Sequence, residues 1–355
     1  MVVGAYQPPP PSFSFEPPPS VIGKVETMHP TPTEAASPTR DEASVGPRQD
    51  SQEAELARKK DRAHRRLMAH LASYGFMAPT LVVMAVMMLV PIVLVFVYST
   101  LSNVIIDKHP EFVGVSNFGE LIGDPIFRKA IGNTLVFTTV SVSFHLLLGL
   151  GFAMMLNSKL LPRFAAAAFR VVYIIPWVFT ASIVVILWQL LLNPNGVVNY
   201  ILDTLGIIST KVEWFANPSL ALGTVIFINI WAGYPFFMIS LLAGLQGIPA
   251  DLYEAAQVDG AGPWSRFFHV TLPQLKPIIV AMVMLDFIWN MQQFPIVWLA
   301  TGGGPLNATE TIATYTYNLA FSKHQFSLAA ASGVFLFVIS AIVAVLYVRQ
   351  QKARD

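Results

Sequence analysis

Apolar and polar residues along this chain fall into long blocks rather than a short alternation. Apolar blocks lie near Phe76–Thr100, Ile131–Leu156, Val171–Leu192, Leu220–Leu245, Ile278–Leu299 and Leu328–Val348. At roughly 1.5 Å per residue, each is long enough to cross a hydrocarbon core of about 30 Å. The pattern predicts an all-α polytopic membrane protein with six transmembrane helices. Pro79, Pro91, Pro176, Pro235 and Pro295 fall inside or beside these blocks, where each removes a backbone donor and can kink its helix.

The polar stretches have characters of their own. Residues 1–55 hold proline runs at Pro8–Pro11 and Pro17–Pro19, then Thr, Ser, Glu and Asp. Such a segment buries too little apolar surface to offset its ordering entropy, so a disordered cytoplasmic tail is expected. Residues 56–73 carry Arg58, Lys59, Lys60, Arg62, Arg65 and Arg66 and read as a basic amphipathic helix at the membrane surface. The remaining residues, 74–355, form the six-span domain. Val197–Leu205 has helical apolar spacing and ends at Gly206, which suggests a helix lying on the outer surface. Gly302-Gly303-Gly304-Pro305 reads as a turn after the fifth span.

Composition supports the membrane assignment and narrows the chemistry. Only 12% of residues are charged, against roughly 25% in soluble domains. The net charge of +1 makes no electrostatic case for nucleic acid as a partner. The chain has no cysteine, so disulfides and thiolate chemistry are excluded. The N-terminus lacks the basic and apolar regions of a cleavable signal peptide. Basic residues concentrate in alternate loops: Arg58–Arg66, then Lys159, Arg163 and Arg170, then Arg266 and Lys276, then Arg349, Lys352 and Arg354. The positive-inside rule therefore places both termini and the loop between spans four and five in the cytoplasm.

That loop, Glu254–Pro273, predicts a short helix, a glycine turn and a second short helix. Pro249 and Asp251 suit a first turn, Ala255 and Ala256 favour helix and close approach, and Gly260 and Gly262 end it. No catalytic or metal-binding constellation is found. The Gly23–Lys24 pair lacks the earlier glycine and the following Ser or Thr of a nucleotide-binding loop.

Polar groups inside the spans are costly enough to need a reason. Asp286, Asn290 and Gln293 lie within about 60° of one another on one helix face, bordered by Trp289. Span four carries Asn229, Trp231, Tyr234, Phe236 and Phe237 around Gly233 and Pro235. Amides beside aromatic faces suit a sugar, whose hydroxyls need donors and acceptors and whose C–H faces pack on rings. The competing reading is hydrogen bonding between packed helices. Asp286 sits nearer the cytoplasmic end and is read as pairing with a partner, staying protonated or meeting substrate. His145 stands alone in span two and reads as a packing histidine. A proton-coupled secondary transporter using Asp286 and His145 is the alternative function.

Glu254-Ala255-Ala256, three residues, Gly260, nine residues, then Val270-Thr271-Leu272-Pro273 resembles the EAA signature of bacterial ABC importer permeases. Val270 stands where that family often has Ile. Tyr234-Pro235, Gly244–Pro249, Thr301–Pro305 and Thr309–Phe321 resemble the carbohydrate branch, of maltose, glycerol-phosphate and trehalose type, and most of all a trehalose-type permease. The resemblance covers about Tyr74 to the C-terminus. It implies a type I ABC importer permease fold in a bacterial plasma (inner) membrane. It also implies a second homologous permease, two copies of an ATPase that bind ATP and Mg, and an extracytoplasmic sugar-binding protein. The chain itself would hold no cofactor. The EAA loop, residues 246–277, would dock the ATPase through Tyr253, Glu254, Ala255, Ala256, Asp259, Gly260 and Ala261. Sugar would contact Asn229, Trp231, Gly233, Tyr234, Phe236, Phe237, Trp289, Asn290 and Gln293, with Gln293 standing where the maltose-type pore has Asn.

Overall fold

The structure, a computed structural model, describes residues 77–158 and 162–352. The expected tail, residues 1–55, and the whole of the expected basic helix, residues 56–73, lie outside the described residues. Among those residues the fold is helical, with one isolated β-bridge between Leu101 and Phe112. Five helices are long and apolar enough to cross a membrane: α1 (Met77–Tyr98), α3 (Pro125–Asn157), α7 (Ala221–Gln246), the stretch Pro263–Met291 and Phe326–Leu346. A bent pair, α4 (Arg163–Val178) and α5 (Ala181–Leu191), is long and apolar enough only when taken together. The expected six spans are therefore present when that pair counts as one.

The third span, expected over Val171–Leu192 with Pro176 able to kink it, is broken in two. It bends by 100° between α4 and α5. Pro176 offers no N–H to the Val172 carbonyl, and its ring crowds that carbonyl. Phe179 and Thr180 then take extended conformations, and the chain restarts as α5. The fifth span also differs from its expected bounds, Ile278–Leu299. Its helical stretch begins at Pro263, well before Ile278, and α10 (Leu272–Met291) stops at Met291. Pro295 cannot donate to the Met291 carbonyl, so it opens a new short helix, α11 (Pro295–Thr301), where a first-turn proline is tolerated.

The bundle is built around α3 and α7. Two glycines let them approach closely. A Cβ on Gly149 of α3 would overlap the Phe237 side chain and stand 2.9 Å from the Met238 nitrogen of α7. A Cβ on Gly233 of α7 would overlap the His145 ring of α3. Small residues at a crossing are how membrane helices gain contact where lipid offers no hydrophobic driving force between them. Apolar clusters flank this crossing on either side. One joins α3, α5, α7 and α11 around Phe137 and Ile228. The other joins α3, α7 and α10 around Phe237, Leu241 and Leu275.

Short elements connect the long helices. These are α2 (Ser116–Gly123), α6 (Val197–Thr204) and α12 (Ile312–Tyr317). Helix α6 forms where the apolar spacing of Val197–Leu205 predicted a helix, with Gly206 just past its end. Helix α12 starts in a capping box, Thr311 with Thr314. Asp124 caps α3 by accepting from Ile126 N–H at 2.7 Å, and Tyr315 of α12 donates its hydroxyl to the same carboxylate at 2.6 Å. Partial burial works against the Asp124 charge, but the Tyr315 hydroxyl, the Ile126 N–H and Lys323 together hold its carboxyl below the usual carboxylate range. A depressed carboxylate contributes stability above its unfolded pKa of about 4 and loses it as pH falls through the folded value. Tyr315→Phe is therefore expected to cost about 1 kcal/mol at neutral pH and to narrow the gap from wild type in acid. Thermal unfolding of detergent-solubilised protein at both pH values checks this; curves identical to wild type would remove the bond from the account.

The last span, α13 (Phe326–Lys352), packs on α12 and α10. The Phe96 ring of α1 meets Phe337 of α13 edge-on at 5.6 Å. None of the most apolar stretch of α1 is buried within this chain.

Candidate functional site

Near the middle of the bundle, α3, α4, α7 and α10 enclose an open cavity of about 200 Å³. Its polar wall is a chain of amides. Asn229 of α7 donates to the Asn290 Oδ1 of α10 at 2.7 Å. Asn290 donates to the Asp286 backbone carbonyl at 2.8 Å. Gln293, in the break just after α10, donates to the Asn229 Oδ1 at 3.3 Å. A primary amide has two N–H donors and one carbonyl acceptor. These bonds leave each asparagine one N–H, and Gln293 one N–H and its carbonyl oxygen. Asn229 and Asn290 are 3% and 5% exposed, so they bridge helices and floor the cavity, while the less buried Gln293 presents its amide.

The opposite wall is aromatic. Trp177 of α4 stacks on Phe236 of α7 at 6.3 Å, and Phe236 meets Trp289 of α10 at 5.5 Å. Trp177 and Trp289 are each more than half exposed, an unusual state for indoles in a bundle interior unless a surface is left to be covered. Sequence reasoning did not find Trp177 or Phe179. Their presence depends on the break after Pro176, which aims both at the cavity.

Of the residues predicted to meet sugar, Asn229, Gly233, Phe236, Trp289, Asn290 and Gln293 line this cavity. Trp231, Tyr234 and Phe237 do not. Trp231 packs edge-on against Trp188 of α5. Tyr234 donates to the Tyr173 carbonyl at 3.2 Å and lies against Phe152. Phe237 is fully buried against α3. The reason is helical phase: residues 229, 233 and 236 share one face at about 100° per residue, and the others point elsewhere. His145 is not a solitary packing residue. It is 2% exposed and contacts Asp286 at 2.8 Å.

The polar loop forms a second candidate site. Helix α8 (Ala250–Val258) follows Pro249 and carries Asp251 in its first turn. Ala261 N–H bonds the Ala256 carbonyl at 2.8 Å and Gly260 N–H bonds the Gln257 carbonyl at 3.0 Å. This is a Schellman ending, and it needs the left-handed residue that Gly260 supplies at φ +80°. Helix α9 (Pro263–Arg266) then opens on a proline and passes through a π-helical turn, Phe267–Thr271, into α10. Tyr253 and Thr271 share a 3.0 Å hydroxyl bond that ties α8 to that turn. No residue of α8 is buried, and Glu254, Ala255, Asp259 and Gly260 are exposed, with Ala256 and Ala261 half-buried. Beside them Val258, Trp264 and Phe268 stand exposed at 88%, 78% and 54%. Large apolar residues exposed on a polar loop make it a candidate docking surface. Among the described residues no group of three or more His, Cys, Asp or Glu is placed to hold a metal.

Comparison with known proteins follows the same lines. Residues 145–354 match the family model for the binding-protein-dependent transport system inner membrane component. The chain is 33% identical over 282 residues to the trehalose/maltose transport system permease protein MalF of Thermococcus litoralis, covering 79% of this chain and 94% of that one. It is 36% identical over 274 residues to the lactose transport system permease protein LacF of Rhizobium radiobacter, covering 76% and 90%. It is 34% identical over 281 residues to the sulfoquinovosyl glycerol transport system permease protein SmoG of Agrobacterium fabrum, covering 79% and 90%. Among solved structures, it is similar to a chain of a bacterial ABC transporter that imports the acidic polysaccharide alginate, with TM-score 0.72 and 25% identity, covering 82% of this chain and 99% of that one.

Proposed function

Because the chain belongs to the family of binding-protein-dependent transport system inner membrane components, we propose that it forms one half of the pore of an ATP-driven sugar importer. The observation that carries this is the mid-bundle cavity lined by three amides and by the rings of Trp177, Phe179, Phe236 and Trp289. Its volume of about 200 Å³ is below the roughly 300–1,000 Å³ of complete ligand sites. A second, similar permease would supply the facing half and cover Trp177 and Trp289.

The cargo proposed is an uncharged sugar of disaccharide size, trehalose-like. No Lys or Arg lines the cavity, which disfavours an acidic saccharide. The relatives named for trehalose/maltose and for lactose support the size class. Energy would arrive from two copies of an ATPase that bind ATP and Mg, docked on α8 and α9. Glu254 and Asp259 would pair with basic groups of that partner while Val258, Trp264 and Phe268 bury against it. An extracytoplasmic binding protein would deliver sugar at the outer end. A solved relative of the fold, the alginate transporter, was captured with its alginate pentasaccharide-bound periplasmic protein. The distribution of basic loops supports a bacterial plasma-membrane protein with both termini cytoplasmic. Transport would follow alternating access: ATP drives the docked helices together and opens the pore outward, and hydrolysis resets it.

Trp289→Ala and Gln293→Ala are expected to raise the KM for sugar uptake about tenfold each while the complex still assembles. Uptake by the complex reconstituted in vesicles, with and without the ATPase, is the measurement. Unchanged kinetics in both variants would remove the cavity from the sugar path. Uptake by this chain without the ATPase would sink the ATP-driven reading.

A further inference from the structure

His145 and Asp286 are the buried ionisable pair of the bundle interior, and the pore reading gives them no task. They lie 141 residues apart in sequence and come from α3 and α10. The His145 Nδ1 contacts the Asp286 Oδ2 at 2.8 Å, and its Nε2 faces the Asn229 backbone carbonyl at 3.1 Å. A carbonyl oxygen only accepts, so Nε2 must carry a hydrogen. The contact between Nδ1 and Oδ2 then needs one more proton, on either atom. An imidazolium facing a carboxylate and a neutral imidazole facing a carboxylic acid both satisfy it. Both are neutral overall, which is what a bilayer interior tolerates.

The same two residues hold together three of the helices that frame the cavity, α3, α7 and α10. His145 reaches α7 at Asn229 and α10 at Asp286. The Asp286 carbonyl takes the Asn290 amide, Asn290 takes Asn229, and Asn229 takes Gln293. The ring itself fits only because Gly233 lacks a Cβ where the imidazole stands. We infer that His145 and Asp286 are positioning residues of the sugar site: a neutral, proton-sharing clamp that fixes α7 against α10 and so sets the directions of the cavity amides. The inference rests on the reading of that cavity as the sugar site.

The clamp needs a hydrogen between two heteroatoms, not an acid. Asn at position 286 can donate its amide to Nδ1 while Nε2–H stays on the Asn229 carbonyl. Asp286→Ala is therefore expected to raise the KM for sugar uptake roughly tenfold with a smaller change in kcat, and Asp286→Asn to bring KM back to within about threefold of wild type. Both are measured on the reconstituted complex, with assembly followed by co-purification. If Asp286→Ala does not assemble, His145→Gln takes its place and is expected to raise KM by several-fold. Wild-type KM in whichever of these assembles overturns the clamp. Loss of uptake in an assembled Asp286→Asn complex also overturns it, because the acid itself would then be needed. Failure of the cavity reading is separate: it appears as unchanged KM in Trp289→Ala and Gln293→Ala. A raised KM in those two with none in Asp286→Ala removes the clamp alone.

Discussion

Gly260→Pro is expected to reduce sugar uptake at least about tenfold while leaving the membrane bundle folded. Gly260 sits at φ +80°, and proline is confined near −65°. Proline would also remove the N–H that bonds the Gln257 carbonyl at 3.0 Å. A misfit of this kind costs about 3 kcal/mol or more, enough to open the turn that returns the chain from α8 to α9. Helix α8 has no buried residue, so the cost falls on the loop and not on the core. The proposed docking surface would lose its shape: Glu254 and Val258 lie before the turn, and Trp264 and Phe268 after it. The measurement is threefold: thermal stability of the purified chain, retention of the ATPase on co-purification, and ATP hydrolysis stimulated by loaded binding protein. Stability should hold, while retention or stimulation falls. Gly260→Ala, strained by about 1–2 kcal/mol in the left-handed region, should give a partial defect. A Gly260→Pro complex with normal uptake would end the claim that this turn carries force.

Gly149→Leu is expected to do the opposite damage: loss of the fold itself. The position has no room. Its Cβ would overlap the Phe237 side chain and crowd the α7 backbone at Met238, which cannot rotate away as a side-chain tip can. Overpacking of a close-packed interior typically costs 1–3 kcal/mol, and backbone obstruction places this substitution at or above the top of that range. Helices α3 and α7 would separate, and His145, one turn before Gly149, would lose its register against Gly233 and Asn229. Gly151 is the control. Nothing lies within 4 Å of a Cβ there, so Gly151→Leu should leave the thermal midpoint near wild type. Both variants are compared by thermal unfolding in detergent and by yield of assembled complex. Equal midpoints for the two leucine variants would show that the crossing is not held by this contact.

The parts legible in the sequence answer either to the bilayer or to neighbouring residues. The bilayer requires long apolar helices, so span number and approximate position follow from hydropathy. Local backbone chemistry made the glycine turn after α8, the short helix α6 and the Gly302–Gly304 turn readable, since each depends on residues adjacent in the chain. The spaced Glu254-to-Pro273 pattern identified the loop for the same reason. The stripe of Asp286, Asn290 and Gln293 was found from helical phase, although Gln293 joins it from beyond the helix end.

What the sequence left open was decided by helices meeting. Span four is apolar nearly all the way round, so its sequence does not say which face looks inward. The crossing at Gly149 and Gly233 settles the rotation, and with it the separation of Phe236, which lines the cavity, from Trp231, Tyr234 and Phe237, which do not. Pro176 signalled a weakness in span three, but only the packed structure shows a 100° bend that carries Trp177 to the cavity. His145 looked solitary because its partner is 141 residues away. The amino-acid sequence by itself determined the membrane class, the spans and the local turns, which answer to solvent and to neighbouring residues. Only the tertiary structure decided which side chains share a cavity, because that depends on helix rotation and close approach between segments far apart in the chain.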